Sequence, residues 1–319
     1  MSLLRRTPLF PCRKAGIAMR LSRHRKLPNK TWYGYLFVAP FFIVFLIFGL
    51  YPILYTFFLS FQKWDGLAPV KAFGWRNFSR LITDNVFYLT LWNTLRIWLM
   101  NFIPQMLTAL VLSAIFTFYK VRGMKFFRAA FYLPNLITAA SIGLLFSLLF
   151  NGGKSAANHL LTAMAVPGAP FDFFNNAAFT SGLVSYIQWW MWFGYTTVIL
   201  MAGITTVDPS IYDAALVDGA NRWQTYRFVT LPLIRPTLVY MTITSVIGGM
   251  QLFDVPATLT NGQGNPRKAI LTTVMYLYNQ AFKNHNYGYA SAISVGLFAV
   301  IALMSFFAIK AMRRKEAGA

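Results

Sequence analysis

The sequence predicts an all-α membrane protein with six transmembrane helices and both termini in the cytoplasm. Three observations carry this. Hydrophobic residues make up 57% of the 319 positions and charged residues only 12%, about half the charged share of a soluble domain. Six apolar runs each approach the roughly 20 residues that a helix needs to span a bilayer. The 29 Lys and Arg residues fall mainly in the gaps between those runs. Net charge is +21, but the bases form neither one stripe nor a nucleic-acid motif, so membrane lipid is the expected partner and nucleic acid is not.

The chain opens with a basic tail, residues 1–30, holding nine Lys and Arg and no acid. It reads as a cytoplasmic segment held near anionic lipid, and Met19 is an alternative start. The first apolar run, Tyr35 to Phe61, is too long for a signal peptide and lacks a small-residue cleavage site, so it is expected to stay as a membrane helix. The other five runs are Leu91–Phe118, Ala129–Phe150, Ser181–Thr205, Thr237–Thr258 and Ala290–Met312. Counting Lys and Arg in the tail and in 119–128, 206–235 and 309–319 gives 20. The remaining gaps hold eight, and Arg96 lies inside a span. The positive side is cytoplasmic. Pro40, Pro52, Pro104 and Pro134 mark expected kinks, tolerated where neighbours satisfy the freed carbonyls.

One outer loop is patterned. After the turn-rich TNGQGNP at 260–266, residues Lys268–Lys283 repeat Leu271, Val274, Tyr278 and Phe282 at helical spacing. That stripe predicts an outer helix packed on the span ends or docking a partner.

The most polar cytoplasmic stretch is Tyr212–Pro236. Asp208 can cap a helix beginning at Pro209, where the missing N–H costs nothing. Gly219 can take the left-handed conformation just past the end of that helix. Asn221 and Gln224 have capping-box spacing for a second short helix, on which Trp223, Tyr226 and Arg227 would share a face. Pro232 and Pro236 are expected to end the excursion and lead into the next apolar run. By spacing alone, this is a protruding pair of helices, an ordinary cytoplasmic loop, or two interfacial helices.

Enzyme chemistry finds little material. There is no Walker loop for ATP phosphates, no nucleophile-elbow motif, no zincin motif and no cysteine pair. Seven of the eight acids lie outside the spans, so the chain by itself reads as non-enzymatic, with no catalytic residues. Cys12 is the single cysteine, and His24, His159 and His285 lie in separate segments. No metal set is predicted.

Binding chemistry is better represented. Gln188, Met191, Trp192 and Tyr195 form one stripe of the fourth span. An amide beside aromatic rings suits a neutral sugar, whose C–H face packs on rings while its hydroxyls hydrogen-bond. Trp189, Trp190 and Trp192 fit an interfacial aromatic belt equally well, whereas an amide such as Gln188 in hydrocarbon needs a partner. On the fifth span Gly248, Gln251 and Asp254 follow similar spacing. Close helix packing is the default for Gly248 and Gly249, and Asp254 is a pathway residue or a partner of Arg96. Asn101 and Gln105 on the second span suit interhelical hydrogen bonds.

The order Asp213-Ala214-Ala215, then Asp218-Gly219-Ala220, then Leu231-Pro232 resembles the E-A-A…G…L-P loop of bacterial ABC-importer permeases. The family's acid is usually Glu; here it is Asp213, one methylene shorter. The segments FRAAFYLPNLITAASIGLLF, WNTLRIWL and LTNGQG…YLYNQAFKNHNYGYASAIS are similar to the sugar, oligosaccharide and glycerol-phosphate branch. The opening YGYLFVAPFF…LYPILYTFFLSFQKWDG resembles the first of its two permeases. The resemblance runs from about Trp32 to Met312 and implies a type I ABC-importer permease-like bundle. Residues 31–312 would then be the permease domain, 206–236 its cytoplasmic coupling loop, and 313–319 a cytoplasmic tail.

It further implies a second permease subunit, two copies of a cytoplasmic ATPase, a periplasmic or lipid-anchored solute-binding protein, and a place in the bacterial inner membrane. ATP and Mg would be bound by the ATPase, leaving this chain without a cofactor. Sugar contacts would come from the fourth and fifth spans, in agreement with the two stripes. An ion-gradient-driven transporter, a scaffolding membrane protein and an ABC importer for a non-sugar solute are the competing classes.

Overall fold

The computed structural model describes residues 31–313, apart from Ala68 and Lys120. The basic tail 1–30, the alternative start at Met19, and residues 314–319 of the C-terminal tail lie outside the described residues. Two compact units are distinguished, ending and beginning at Pro52 and Ile53.

In the first unit, Thr31–Phe45 is α-helical and runs into a wide π turn at Leu46–Leu50. Its side chains are apolar along most of its length, and Trp32–Ser60 is long and apolar enough to cross a membrane.

The second unit is built around two long helices. Asn85–Phe118 starts six residues before the apolar run because Asp84 caps it, accepting from the Val86 N–H at 2.8 Å. Ala177–Thr205 is 29 residues long and capped by Asn176, which at 1.5 Å per residue gives about 43 Å, enough to cross a bilayer. The two helices pack on one another. The buried hydroxyls of Ser185, Thr196 and Thr197 on that interface donate to carbonyls one turn back, so they are satisfied within their own helix. A Cβ on Gly194 would lie 1.8 Å from the Phe131 carbonyl oxygen, so backbone meets backbone there.

Among the described residues, four helices are long and apolar enough to cross a membrane, or up to six when each sharply bent pair counts as one span. The expected continuous third span is one such pair. Met124–Leu136 and Ala139–Phe150 meet at 87°. Pro134 closes the first helix, and Thr138 starts a new one by accepting from Ser141 N–H. The other pair is Ala177–Thr205 with Pro209–Val217, at 77°. The fifth span, Arg235–Thr260, changes course at Gln251–Phe253, and its outer part packs on Ala139–Phe150. The sixth is Tyr287–Arg313. A two-stranded ribbon pairs Gln62–Lys63 with Lys71–Ala72, a small β addition to the expected all-α class.

The outer segment is helical, and the predicted stripe holds over its first half: Leu271 is buried and Val274 packs against the cluster of Trp98 and Met250. Thr273–Tyr278 is α-helical and Asn279–Lys283 continues it as a wide turn. The buried set there is Met275, Tyr276, Gln280 and Ala281, whereas Tyr278 and Phe282 are exposed and lie against each other at 4.8 Å. The predicted stripe therefore leaves the core only from Tyr278 onward, ahead of the wide turn. The segment is tied to the second span by Asn93, whose amide donates to the Lys268 carbonyl at 2.7 Å, and by Thr94.

A carboxylate fastens three elements on this side. Asp84 accepts from Tyr276 Oη at 2.6 Å and from Tyr289 Oη, and the Arg80 guanidinium lies 3.9 Å above the Tyr289 ring. Burial alone would raise the Asp84 pKa. The two phenol hydrogen bonds and the Val86 and Phe87 N–H groups outweigh it and hold the carboxyl below its ordinary range. Burial and the adjacent carboxylate push Tyr276 up to about 12.

Candidate functional site: a polar cavity and the helical pair that joins its walls

A cavity of about 400 Å³ opens between the second, fourth and fifth spans. All seven residues singled out as pathway candidates line it: Gln188, Met191, Trp192 and Tyr195 from one helix, Gly248, Gln251 and Asp254 from the other. The second span adds Trp98, Asn101 and Gln105, and the fifth adds Thr244, Ser245 and Phe253. The sequence carried a signal for these additions. Positions 98, 101 and 105 stand at i, i+3 and i+7, as do 188, 191 and 195 on the fourth span.

The structure separates roles that spacing left joined. Gln105 is an interhelical bond, its Nε2 donating to Thr196 Oγ1 at 2.7 Å. Asn101 is not: it is 7% exposed, and its buried Oδ1 has no partner. Of the three tryptophans, Trp189 donates from Nε1 to Thr108 at 3.2 Å and Trp190 packs on the core, so both hold helices together. Trp192 is 40% exposed, lines the cavity, and meets Tyr195 edge-on at 5.7 Å. Among the described residues, neither Gln188 nor Gln251 gives its side-chain amide to a protein partner.

Two further expectations are corrected. Gly249 packs as foreseen, since a Cβ there would sit 2.0 Å from Trp98 Cδ1, but Gly248 has nothing within 4 Å of such a Cβ and faces the cavity. One residue is about 100° of helix rotation, which sends the two glycines to different neighbours. Arg96 does not pair with Asp254. Its guanidinium donates to Ser181 Oγ at 2.8 Å and to the Ala269 carbonyl at 3.3 Å.

The two cavity-lining helices are joined in the chain by residues 206–234. Asp208 caps Pro209–Val217, accepting from Ser210 N–H at 2.9 Å, and this bond holds its carboxyl below its ordinary pKa. Gly219 follows at φ +80°. Its N–H donates to Leu216 and that of Ala220 to Ala215, the paired bonds of a left-handed helix stop. Asn221 and Gln224 form the predicted reciprocal capping box at 2.8 and 2.9 Å.

Beyond it the chain departs from expectation. Thr225–Thr230 is a wide π turn, and helix continues through Leu231–Leu233 into Arg235–Met250. Pro232 and Pro236 stand where the excursion leads into the fifth span, as expected. Each lies at the start of a new α segment, where its missing N–H is tolerated. Trp223 and Tyr226 lie ring to ring at 6.4 Å, as their expected shared face requires, but they differ in burial. Trp223 and Arg227 are exposed, while Tyr226 is buried and donates to the Leu110 carbonyl at 2.8 Å, its burial raising the phenol pKa.

Of the predicted coupling residues, Asp213, Ala214, Asp218, Gly219 and Pro232 are exposed. Ala215 is buried, Ala220 is half-buried, and Leu231 packs on Ile204, Tyr226 and Ile234 at the base. Leu216, Val217, Trp223 and Phe228 leave an apolar surface on the same segment.

Comparison with known proteins agrees with this arrangement. Residues 15–315 match the family described as binding-protein-dependent transport system inner membrane component. The chain is 33% identical to the lactose transport system permease protein of Rhizobium radiobacter, covering 89% of this chain and 95% of that one. It is also 33% identical to the arabinooligosaccharides transport system permease protein of Bacillus subtilis, over 86% and 87% of the two chains. Its fold matches a chain of a bacterial ABC transporter involved in import of the acidic polysaccharide alginate, with a TM-score of 0.71 at 21% identity over 89% and 96% of the chains. A second structure of a bacterial alginate transporter, in complex with a pentasaccharide-bound periplasmic protein, gives 0.72 at 22% over 89% and 94%.

Proposed function

Since the chain belongs to the family of binding-protein-dependent transport system inner membrane components, we propose that it is a permease subunit of an ATP-driven importer in the bacterial inner membrane, carrying a sugar or sugar derivative through the cavity described above. One observation carries the reading. The helical pair at 206–234 is the direct covalent link between the two helices that contribute Gln188, Trp192 and Tyr195 on one side and Gly248, Gln251 and Asp254 on the other. A partner that displaces this link moves both walls of the cavity.

The partners are a second permease subunit, two copies of a cytoplasmic ATPase that bind ATP and Mg, and an external solute-binding protein. Asp213, Asp218 and the apolar surface around Trp223 form the ATPase contact, with Gly219 as its turning point. Closure of the ATPase dimer drives the link as a rigid body and turns the cavity outward. Hydrolysis lets it face inward again. Each state is favoured by differential binding of nucleotide or sugar, since a ligand shifts an equilibrium only by its difference in affinity for the two states.

The test begins with the tagged chain purified from its native membranes in mild detergent. An ATPase and a second permease should co-purify, and hydrolysis should rise with binding protein and sugar. Gly219→Trp should insert normally and lose coupled uptake, because φ +80° is strained for any side chain and the new bulk sits on the exposed turn. Normal uptake by that variant would remove the link from the mechanism. A chain that co-purifies with no ATPase in several detergents would return the gradient-driven reading.

A further inference from the structure

Resting on the sugar reading above, we propose that the cavity is a charge filter for uncharged saccharides, with Asp254 as its specificity-determining residue, so that an anionic sugar of the same size is turned away. Among the described residues that line the cavity, Asp254 is the one acidic side chain, and no Lys, Arg or His is present. Arg96, one residue before the lining residue Ile97, is turned to Ser181 and the Ala269 carbonyl instead. The wall contributed by this chain is therefore net negative.

Its hydrogen-bonding capacity leans the same way. The Trp98 indole N–H is engaged by Ser245 at 3.1 Å, and the Gln105 amide by Thr196 at 2.7 Å. The open acceptors are the Asp254 carboxylate and the buried Asn101 Oδ1. The Gln188 and Gln251 amides both donate and accept. Hydroxyl groups satisfy such a wall by donating into it. A carboxylate or sulfonate on the cargo would instead meet a like charge, and like-charge juxtaposition turns the wrong ligand away. Trp192 and Tyr195 offer ring faces to sugar C–H groups and take no part in charge selection. The fold does not decide cargo charge, because a transporter with the same fold imports the acidic polysaccharide alginate. Selection by charge has to reside in individual wall residues.

The test uses the complete transporter in detergent, without the binding protein, so that the selectivity measured is that of the membrane cavity. Radiolabelled galactotriose and trigalacturonate, equal in length and different in their C6 carboxylates, are titrated onto wild type, Asp254→Asn and Asp254→Lys. Wild type should bind the neutral sugar at least about tenfold more tightly, with the difference shrinking at high salt. The ratio should fall in Asp254→Asn and swing towards the uronate in Asp254→Lys. If the Lys variant does not assemble, Asp254→Asn alone decides. Equal binding of both sugars by wild type, or a ratio untouched by the substitutions, overturns the filter while leaving the sugar reading in place. Failure of galactotriose, lactose and arabinotriose alike to bind or to stimulate hydrolysis overturns the sugar reading, and the filter with it.

Discussion

Gly248 and Gly249 are neighbours with opposite surroundings, and substituting each tests the packing that defines the cavity. A methyl group at Gly249 would lie 2.0 Å from Trp98 Cδ1 and 2.8 Å from Cγ. Trp98 has little room to yield: it is 7% exposed, stacks on Phe102 at 5.1 Å and donates to Ser245. Overpacking of a filled core typically costs about 1–3 kcal/mol, and displacement of a whole indole places Gly249→Ala in the upper part of that range. At Gly248 the methyl meets nothing within 4 Å, and Ala is favoured over Gly inside a helix by roughly 0.5–1 kcal/mol. Gly248→Ala should therefore melt at or above wild type. Gly248→Leu should keep the melting temperature but cut uptake roughly tenfold, equivalent to about 1.4 kcal/mol of lost binding, because its side chain enters the cavity. Thermal melting of the purified complex, paired with uptake in proteoliposomes, reads both effects. Equal melting of the two Ala variants would refute the helix register argued here, and unimpaired uptake by Gly248→Leu would refute the cavity as the route.

Two other outcomes follow from named contacts. Asp84 has its pKa depressed by folding, so its stabilisation is complete above the unfolded value of about 3.9 and is lost as pH falls through the lower folded value. Asp84→Asn should lower stability by about 1–2 kcal/mol at neutral pH through loss of charge-assisted bonds. Its melting curve should converge with wild type in acid, and a constant gap down to low pH would disprove the assignment. Gln105→Leu should weaken the complex by roughly 1 kcal/mol, the scale of an interhelical bond in a membrane, whereas Asn101→Leu should leave melting unchanged and lower sugar binding. Melting and binding measured side by side on the two variants decide between these roles.

Much of this architecture is legible in the sequence because single side chains dictate it. Asp208, Gly219, Asn221 and Gln224 each perform a local task within four residues of their own position, and the structure finds each one doing it. The stripes on the fourth and fifth spans could be drawn because a helix converts sequence spacing into a face. What stayed hidden depends on features that spacing does not record. The break after Leu136 is marked by Thr138 and Ser141, an N-cap pair submerged in an apolar run that otherwise reads as one continuous span. The wide turn at Thr225–Thr230 shifts helical phase, so Tyr226 is buried while Arg227 beside it is exposed, and the outer stripe leaves the core at Tyr278, neither of which spacing records. The contrast between Asn101 and Gln105 was invisible for a different reason: only one of them finds a hydroxyl opposite, on a helix some 90 residues away in the chain.

The wide turn at Thr225–Thr230 also bears on how such a chain can change over generations. A π turn holds one residue more than the α-helix around it, the mark that a single inserted codon leaves when the flanking helices are kept. Deleting one residue there would let the helix close into regular α geometry and rotate everything before it by about 100° relative to the Arg235–Met250 helix. Trp223, Phe228 and the acids of the preceding helix would then face another direction with no side chain altered. Orientation of the protruding segment is thus open to adjustment by the length of the chain at one place, while its caps keep its internal shape the same.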